Sequence, residues 1–324
     1  MPLVTIIVPA FNVIDTLSET LTALLAQTCD DFEIIIVNDG SNDETAAIAK
    51  SFMDDVRVQL VTQRNMGYSA ARNTGIAAAR GSLIGFCDAG DLWVPEKLAM
   101  HVAHLRAAPQ VGISYAGSSF IDESSRSLRQ SHNPKLTEID AAHIFKRNPI
   151  GNGSSAVVRR SVFDEIAYRP SQNQTRDWFF DETYRQSENI ECWLRIVLTT
   201  DWKFEGVAGL LTKVRVIPSI HASATERELS AWEMMVRKLT PMAPVFFARQ
   251  TFVARAYQLR HLARCAISDL DARRACRLMS AALEQSKRPL IEEPMKTAMT
   301  MGAALMLRFG GAQAFQLLMT RRYT

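Results

Sequence analysis

Apolar residues follow two different rhythms along the chain. Up to about residue 108, the β-branched-rich runs LVTIIVPA, FEIIIVNDG, VRVQLVT and SLIGFCD alternate with stretches of helical spacing. DTLSETLTALLAQ, NDETAAIAKSFM and GYSAARNTGIAAA are such stretches, each flanked by cap residues. Continuous apolar strands joined by helices predict an α/β fold with a Rossmann-like, mostly parallel sheet covered on both faces. Sheets of this kind bind ligands at the carboxyl ends of their strands. The unusual polar clusters of this half all fall at such ends.

Beyond Ala108 the rhythm blurs. VGISYAG and SSAVVRR read as strands, ENIECWLRIVLT as a helix, and Asp122 to Lys135 as a polar loop. From about Glu226 the pattern is wholly helical, ending in the methionine-rich MKTAMTMGAALMLRFGGAQAFQLLM. The expected organisation is one α/β domain over residues 1–225, split near 108 into two halves, and a helical extension over 226–324. Arg308 interrupts the last apolar stretch, and no uncharged run approaches the roughly 20 residues of a spanning helix. That stretch either lies in a membrane interface or packs on the other helices, methionine being a common gap-filler.

Composition supports a folded chain and narrows its setting. The 324 residues are 47% hydrophobic, enough for a real core. Cys29, Cys87, Cys192, Cys265 and Cys276 are odd in number and contain no CxxC pair, which argues against a disulfide framework or a zinc site. A cytoplasmic chain without a signal peptide is the expectation. The net charge of +3 is uneven: residues 246–324 carry 13 Lys or Arg against 5 Asp or Glu, hence +8, which leaves −5 elsewhere. Such a basic segment either faces something anionic or is a solvated helical surface.

Four segments carry the candidate chemistry. In VPAFN, Pro9 stops a strand and leaves Ala10, Phe11 and Asn12 in a turn. In VNDGS, Asp39 either accepts hydrogen bonds from a base or ribose or joins Ser41 in capping a helix. In SAARNTG, Arg72 projects from a helix of small residues and suits phosphate. In FCDAGDLW, Asp88 and Asp91 offer hard oxygen ligands for magnesium or manganese shared with a diphosphate.

These segments, in this order over roughly the first 220 residues, resemble the inverting family 2 glycosyltransferases with a GT-A fold. The resemblance implies that Pro9, Ala10, Phe11, Asn12, Asp39, Arg72, Asp88 and Ala89 surround a nucleotide-sugar, usually a UDP-sugar. It also implies that Asp88 and Asp91 lie beside a divalent cation, Mn2+ or Mg2+. Two departures stand out. The family's Asp-x-Asp-Asp reads Asp88-Ala89-Gly90-Asp91 here, and Gly90 is either a lost ligand or a turn-forming hinge. The family's Glu-Asp before a helix of the form xxLWLRI reads Glu188-Asn189, followed by Glu191 and, at the matching arginine, Arg195. An amide takes no proton at neutral pH, so Glu188 or Glu191 acts as base, or transfer is impaired.

Lesser candidates are Arg215 and His221 for the leaving diphosphate, and Asn152 with Gly153 for a hydroxyl-rich acceptor or a simple turn. Trp193 suits the core or a sugar face. The function expected is sugar transfer to a glycan or lipid-linked acceptor in exopolysaccharide or surface-glycan assembly. Peripheral membrane contact through the basic helices is expected, at the inner face of the plasma membrane, and no nucleic-acid partner. A nucleotidyltransferase would need a glycine-rich phosphate loop that PAFNVIDT lacks. A sugar-nucleotide binder with little transfer activity is the rival that Gly90 and Asn189 favour.

Overall fold

A computed structural model of the chain describes residues 1–171, 176–185, 187–216 and 224–320. They divide into two units. The first comprises Met1–Ile144 and Asn148–Ile217, the second Phe145–Arg147 and Pro218–Thr324.

The first unit is built on one sheet. Strands β1 (Val4–Ala10), β2 (Phe32–Asn38), β3 (Val58–Thr62) and β4 (Leu83–Phe86) pair in parallel in the order β3-β2-β1-β4. Every residue of β1, β2 and β4 is buried, which is why they read as unbroken apolar runs. Helices α1 (Leu17–Leu25), α2 (Thr45–Ser51) and α3 (Tyr68–Ala78) connect them. The small residues of α3 allow a close approach to the sheet: a side chain at Gly75 would collide with Ile7 of β1.

The sheet continues with strands of mixed direction. These are β5 (Leu92–Trp93), β6 (Val111–Ile121), β7 (Ser127–His132), β8 (Ala156–Arg159) and β9 (Lys203–Arg215). β8 runs antiparallel between β4 and β6, while β9 is parallel to β6. Helices α4 (Lys97–Ala107), α5 (Ala141–Lys146), α6 (Arg160–Ile166) and α7 (Glu188–Thr199) complete this part of the chain. One expectation needs correcting: the polar stretch from Asp122 to Lys135 is not simply a loop, because it contains β7. That strand pairs with β6 through its backbone while its side chains stay largely in solvent, so no apolar alternation announces it.

The second unit is helical: α8 (Ala224–Leu239), α9 (Pro244–Ser268), α10 (Ala272–Gln285), α11 (Arg288–Glu292) and α12 (Pro294–Thr320). Ala266, Ile267, Ala275, Ala304 and Leu307 form a core between α9, α10 and α12. Asp271 caps α10 by accepting the Arg274 N–H. Among the described residues no helix is long and apolar enough to cross a membrane.

Candidate functional site

A cleft of about 580 Å³ opens at the carboxyl ends of β1, β2 and β4. Pro9, Ala10, Phe11, Asp39, Asp88, Ala89, Asp91 and Arg215 all line it, so eight of the residues singled out above share one wall system. Gly90 and Asn152 line it too. Asn12, Arg72, Glu188, Asn189 and Glu191 are not among its lining residues. The two strand ends are tied together where the Asp39 N–H donates to the Ala10 carbonyl at 2.9 Å.

At the β2 end, the Asp39 carboxylate is engaged within the fold. It accepts from Gln63 Nε2 at 2.7 Å and from the backbone N–H groups of Met66 at 2.9 Å and Gly67 at 2.8 Å. It therefore shapes the loop that enters α3 and does not cap α2, whose first N–H, that of Thr45, is taken by Asp43 Oδ1 at 3.0 Å. Asn12 adopts φ 52° and braces the neighbouring loop by accepting from the Asn42 N–H at 3.0 Å.

The loop after β4 sets two carboxylates in opposite situations. The Asp88 side chain is 38% exposed and takes hydrogen bonds from the Tyr68 hydroxyl and from Arg72 Nη2 at 3.4 Å. Partial loss of solvent, then the charges of Asp91 and Glu188, push its carboxyl above the usual carboxylate range. Asp91 is buried with both oxygens engaged: Oδ2 accepts from Ser154 Oγ at 2.6 Å and Oδ1 from the Arg215 N–H at 3.0 Å. Burial raises its pKa, against the lowering effect of those two hydrogen bonds.

Gly90 between them has ample room. A Cβ there would meet only Thr16 Oγ1, at 3.8 Å, and its φ lies outside the left-handed region. The hinge reading of Gly90 is thereby corrected: neither backbone strain nor crowding requires glycine at this position.

Arg215 is likewise corrected as a partner for the leaving diphosphate. Its side chain is only 2% exposed. All five guanidinium N–H groups are occupied: Nε by Gly90 O, Nη1 by Asp122 O and Glu123 O, and Nη2 by Glu19 and Ser125. It clamps the loop rather than offering charge to the cleft. His221 lies outside the described residues.

Arg72 connects the cleft wall to the start of α7. Fully buried, it donates through Nη1 to Asn189 Oδ1 and through Nη2 to the Tyr68 hydroxyl at 2.6 Å, and its guanidinium carbon sits 4.1 Å from the Tyr68 ring centre. Burial lowers its pKa to about 10, which still leaves a cation at neutral pH. A side chain at Gly153 would collide with this guanidinium, so the glycine serves Arg72. Asn152 accepts from Ser155 Oγ at 2.7 Å at the start of the same short turn.

On α7 itself, Asn189 Nδ2 donates to Glu188 Oε1 at 3.2 Å. Glu191 is fully buried and held by Arg195, with Nε to Oε1 at 3.0 Å, which removes it from the candidates for base. Trp193 is a core residue, packed edge-on against Phe180 and Phe204.

Three participants escaped the sequence reading. Tyr68 sits between Asp88 and Arg72. Ser154 accepts from the Asp88 N–H at 2.9 Å while donating to Asp91, and its carbonyl receives Trp93 Nε1 at 3.0 Å and Lys97 Nζ at 2.8 Å. Lys97 is wholly buried, with its pKa lowered to about 7 by that burial. A signal was present only for Tyr68, an aromatic one helical turn before Arg72; nothing local distinguishes Ser154 or Lys97 from surface residues.

Comparison with known proteins places this geometry. Residues 5–167, half of the chain, match Glycosyl transferase family 2. An uncharacterized glycosyltransferase of Bacillus subtilis, EpsJ, is 44% identical over 126 residues, 39% of this chain and 36% of that protein. The chain thus matches little more than a third of EpsJ. The uncharacterized glycosyltransferase RP339 of Rickettsia prowazekii is 24% identical over 245 residues, 74% of this chain and 73% of that protein. Among solved structures, S. aureus TarS 1–349 in complex with UDP-GlcNAc aligns with a TM-score of 0.62 at 16% identity, over 96% of this chain and 92% of that one. The mannosyltransferase PcManGT from Pyrobaculum calidifontis, in complex with GDP-Man and Mn2+, aligns with a TM-score of 0.50 at 18% identity, over 96% and 88%. The two structures share the fold, and the sequence match supplies the kinship. With the family pattern running through half its length and carrying most of the strand-end cleft's lining, this chain belongs to glycosyltransferase family 2.

Proposed function

We propose that the protein is an inverting glycosyltransferase that moves a sugar from a UDP-sugar to a glycan or lipid-linked acceptor in polysaccharide assembly. The observation that carries this reading is the convergence of Pro9, Phe11, Asp39 and Asp88 on one cleft, backed by Arg72, which reaches Asn189. Phe11 and Ala10 would flank the base, with Asp39 shaping the wall against which it rests. TarS, solved with UDP-GlcNAc, supports a UDP donor; GDP-sugars belong in any panel because PcManGT is solved with GDP-Man.

The described residues contain no group of three or more His, Cys, Asp or Glu side chains placed to hold a metal. The exposed Asp88 carboxylate still fits a divalent ion held mainly by diphosphate and water, since Mg2+ keeps several waters in such sites. Asp88 would be its protein ligand, and Asp91, saturated by Ser154 and Arg215, would hold the loop. The ion, when bound, neutralises charge on the departing diphosphate.

Glu188 is our candidate base. It is adjacent to the family position, whereas Glu191 is buried against Arg195. Asn189 would fix the Glu188 carboxylate by its amide and hold Arg72 by its carbonyl. The acceptor hydroxyl would lose its proton to Glu188 as it attacks the anomeric carbon, and the bond to the diphosphate would break on the opposite face.

Membrane-linked acceptors would suit the basic C-terminal helices, with the protein working at the inner face of the plasma membrane. A second reading, a sugar-nucleotide binder with little transfer, draws on Asn189 and Gly90. Calorimetry with UDP-sugars, with and without Mn2+, tests donor binding. Transfer assays on the natural chain and on Asn189→Asp then separate the two readings: binding without transfer in both, across a broad acceptor panel, would leave the binder.

A further inference from the structure

We propose that the solvent face of α12 is a docking surface for an anionic lipid bilayer. This deepens the peripheral membrane contact of the proposed function and rests on that reading. The helix has two unlike faces, but not in the usual sense. Thr297, Thr300, Ala304 and Leu307 are buried on one side. On the other, Met295 (72% exposed), Met299, Met306 and Phe309 (81% exposed) join Gly302 in a stripe at alternating spacings of four and three, with Met301 and Leu305 beside it. An ordinary surface helix places polar residues there, and contiguous apolar stripes of this kind mark interaction sites.

Charge decides the occupant. Over residues 294–310 the ionic exposed side chains are Lys296 and Arg308. Arg308 has no carboxylate in that stretch, and the one beside Lys296, Glu293 at 3.0 Å, is shared with the buried Arg260. They stand twelve residues apart, roughly 18 Å along a helix. Their long stems can keep both cations at headgroup level while methionine and phenylalanine enter the acyl boundary. The surrounding segment, 246–324, carries +8 overall. A second copy fits poorly: antiparallel pairing centred on Gly302 sets Lys296 against the other chain's Arg308, and parallel in-register pairing sets like against like. The straight part of the helix ends at Gly311, with φ 76° and ψ 166°. About 17 residues of it, with two cations, are too short and too charged to span.

The test is co-sedimentation of the full chain with phosphatidylcholine vesicles, alone and with about a third phosphatidylglycerol. Binding to the anionic vesicles is expected, with little to the neutral ones. Replacing both cations (Lys296→Glu with Arg308→Glu) should lower the partition coefficient at least about tenfold, and Met299→Glu with Phe309→Glu should do the same. Circular dichroism and UDP calorimetry on each variant establish that the fold is kept. Equal binding to both vesicle types, no binding, or a dimer in light scattering that Met299→Glu dissociates would each overturn the proposal, the last in favour of a second copy. In the natural chain, UDP binding without binding to anionic vesicles sinks this surface alone. UDP binding absent with vesicle binding kept sinks the proposed reaction instead.

Discussion

The loop after β4 and the start of α7 each depart from the family pattern by one lost carboxylate, yet the two losses differ physically. At Gly90 the missing side chain leaves open space beside an exposed Asp88, and nothing in the fold has come to depend on its absence. At Asn189 the replacement amide is built in: its carbonyl receives the buried Arg72 and its nitrogen donates to Glu188. A substitution facing a cleft can be reversed with little structural consequence. One that satisfies a buried cation is coupled to everything that cation touches.

The largest effect should come from the α7 side. Glu188→Gln is expected to lower turnover by about 10²–10⁴-fold while leaving donor affinity unchanged, read from single-turnover rates and calorimetry. A loss smaller than about tenfold would remove Glu188 as base.

The two loop carboxylates should then separate cleanly. Asp91→Ala strips partners from Ser154 and the Arg215 N–H and should cost about 1–3 kcal/mol in urea unfolding. Asp88→Asn should stay within about 0.5 kcal/mol of the natural chain but lose metal-dependent binding of UDP. Equal destabilisation by both would erase the distinction drawn between them.

Lys97, beneath this loop, gives the comparison a pH signature. Its ordinary value of 10.5 applies to the unfolded chain, and burial lowers it to about 7 in the fold. Between those values the unfolded state holds the extra proton, so stability should rise with pH from about 7 upward by at most about 1.4 kcal/mol per unit. That contribution is lost as pH falls through about 7, and Lys97→Met should flatten the curve of unfolding free energy against pH. The smallest effect is a gain: Gly90→Asp should tighten Mn2+ binding in the presence of UDP about tenfold by adding a charged ligand, with stability unchanged. Weaker Mn2+ binding would mean that the space at Gly90 serves the ligand itself.

Legibility follows burial pattern. β1, β2 and β4 were readable because both faces are covered, which makes them continuously apolar, and the residues at their ends were readable because turns gather polar groups there. β7 was not, since it is held by backbone pairing at a polar edge. Arg215 was recognised as a cation near the cleft, but its saturation by Glu19, Gly90, Asp122, Glu123 and Ser125 involves partners 90 or more residues away. Lys97 looked like an ordinary first-turn lysine and proved to be wholly buried.

By itself, then, the sequence determined the alternation of strands and helices, the carboxyl ends where the chemistry gathers, and the two departures at Gly90 and Asn189. Those properties depend on residue type and local spacing. Only the tertiary structure decided that Asp88 is open and Asp91 engaged, that Arg215 is spent on the loop, and that Arg72 joins the cleft wall to α7. Availability to a ligand depends on which hydrogen bonds and which solvent remain once distant segments have packed, and local spacing carries no record of that.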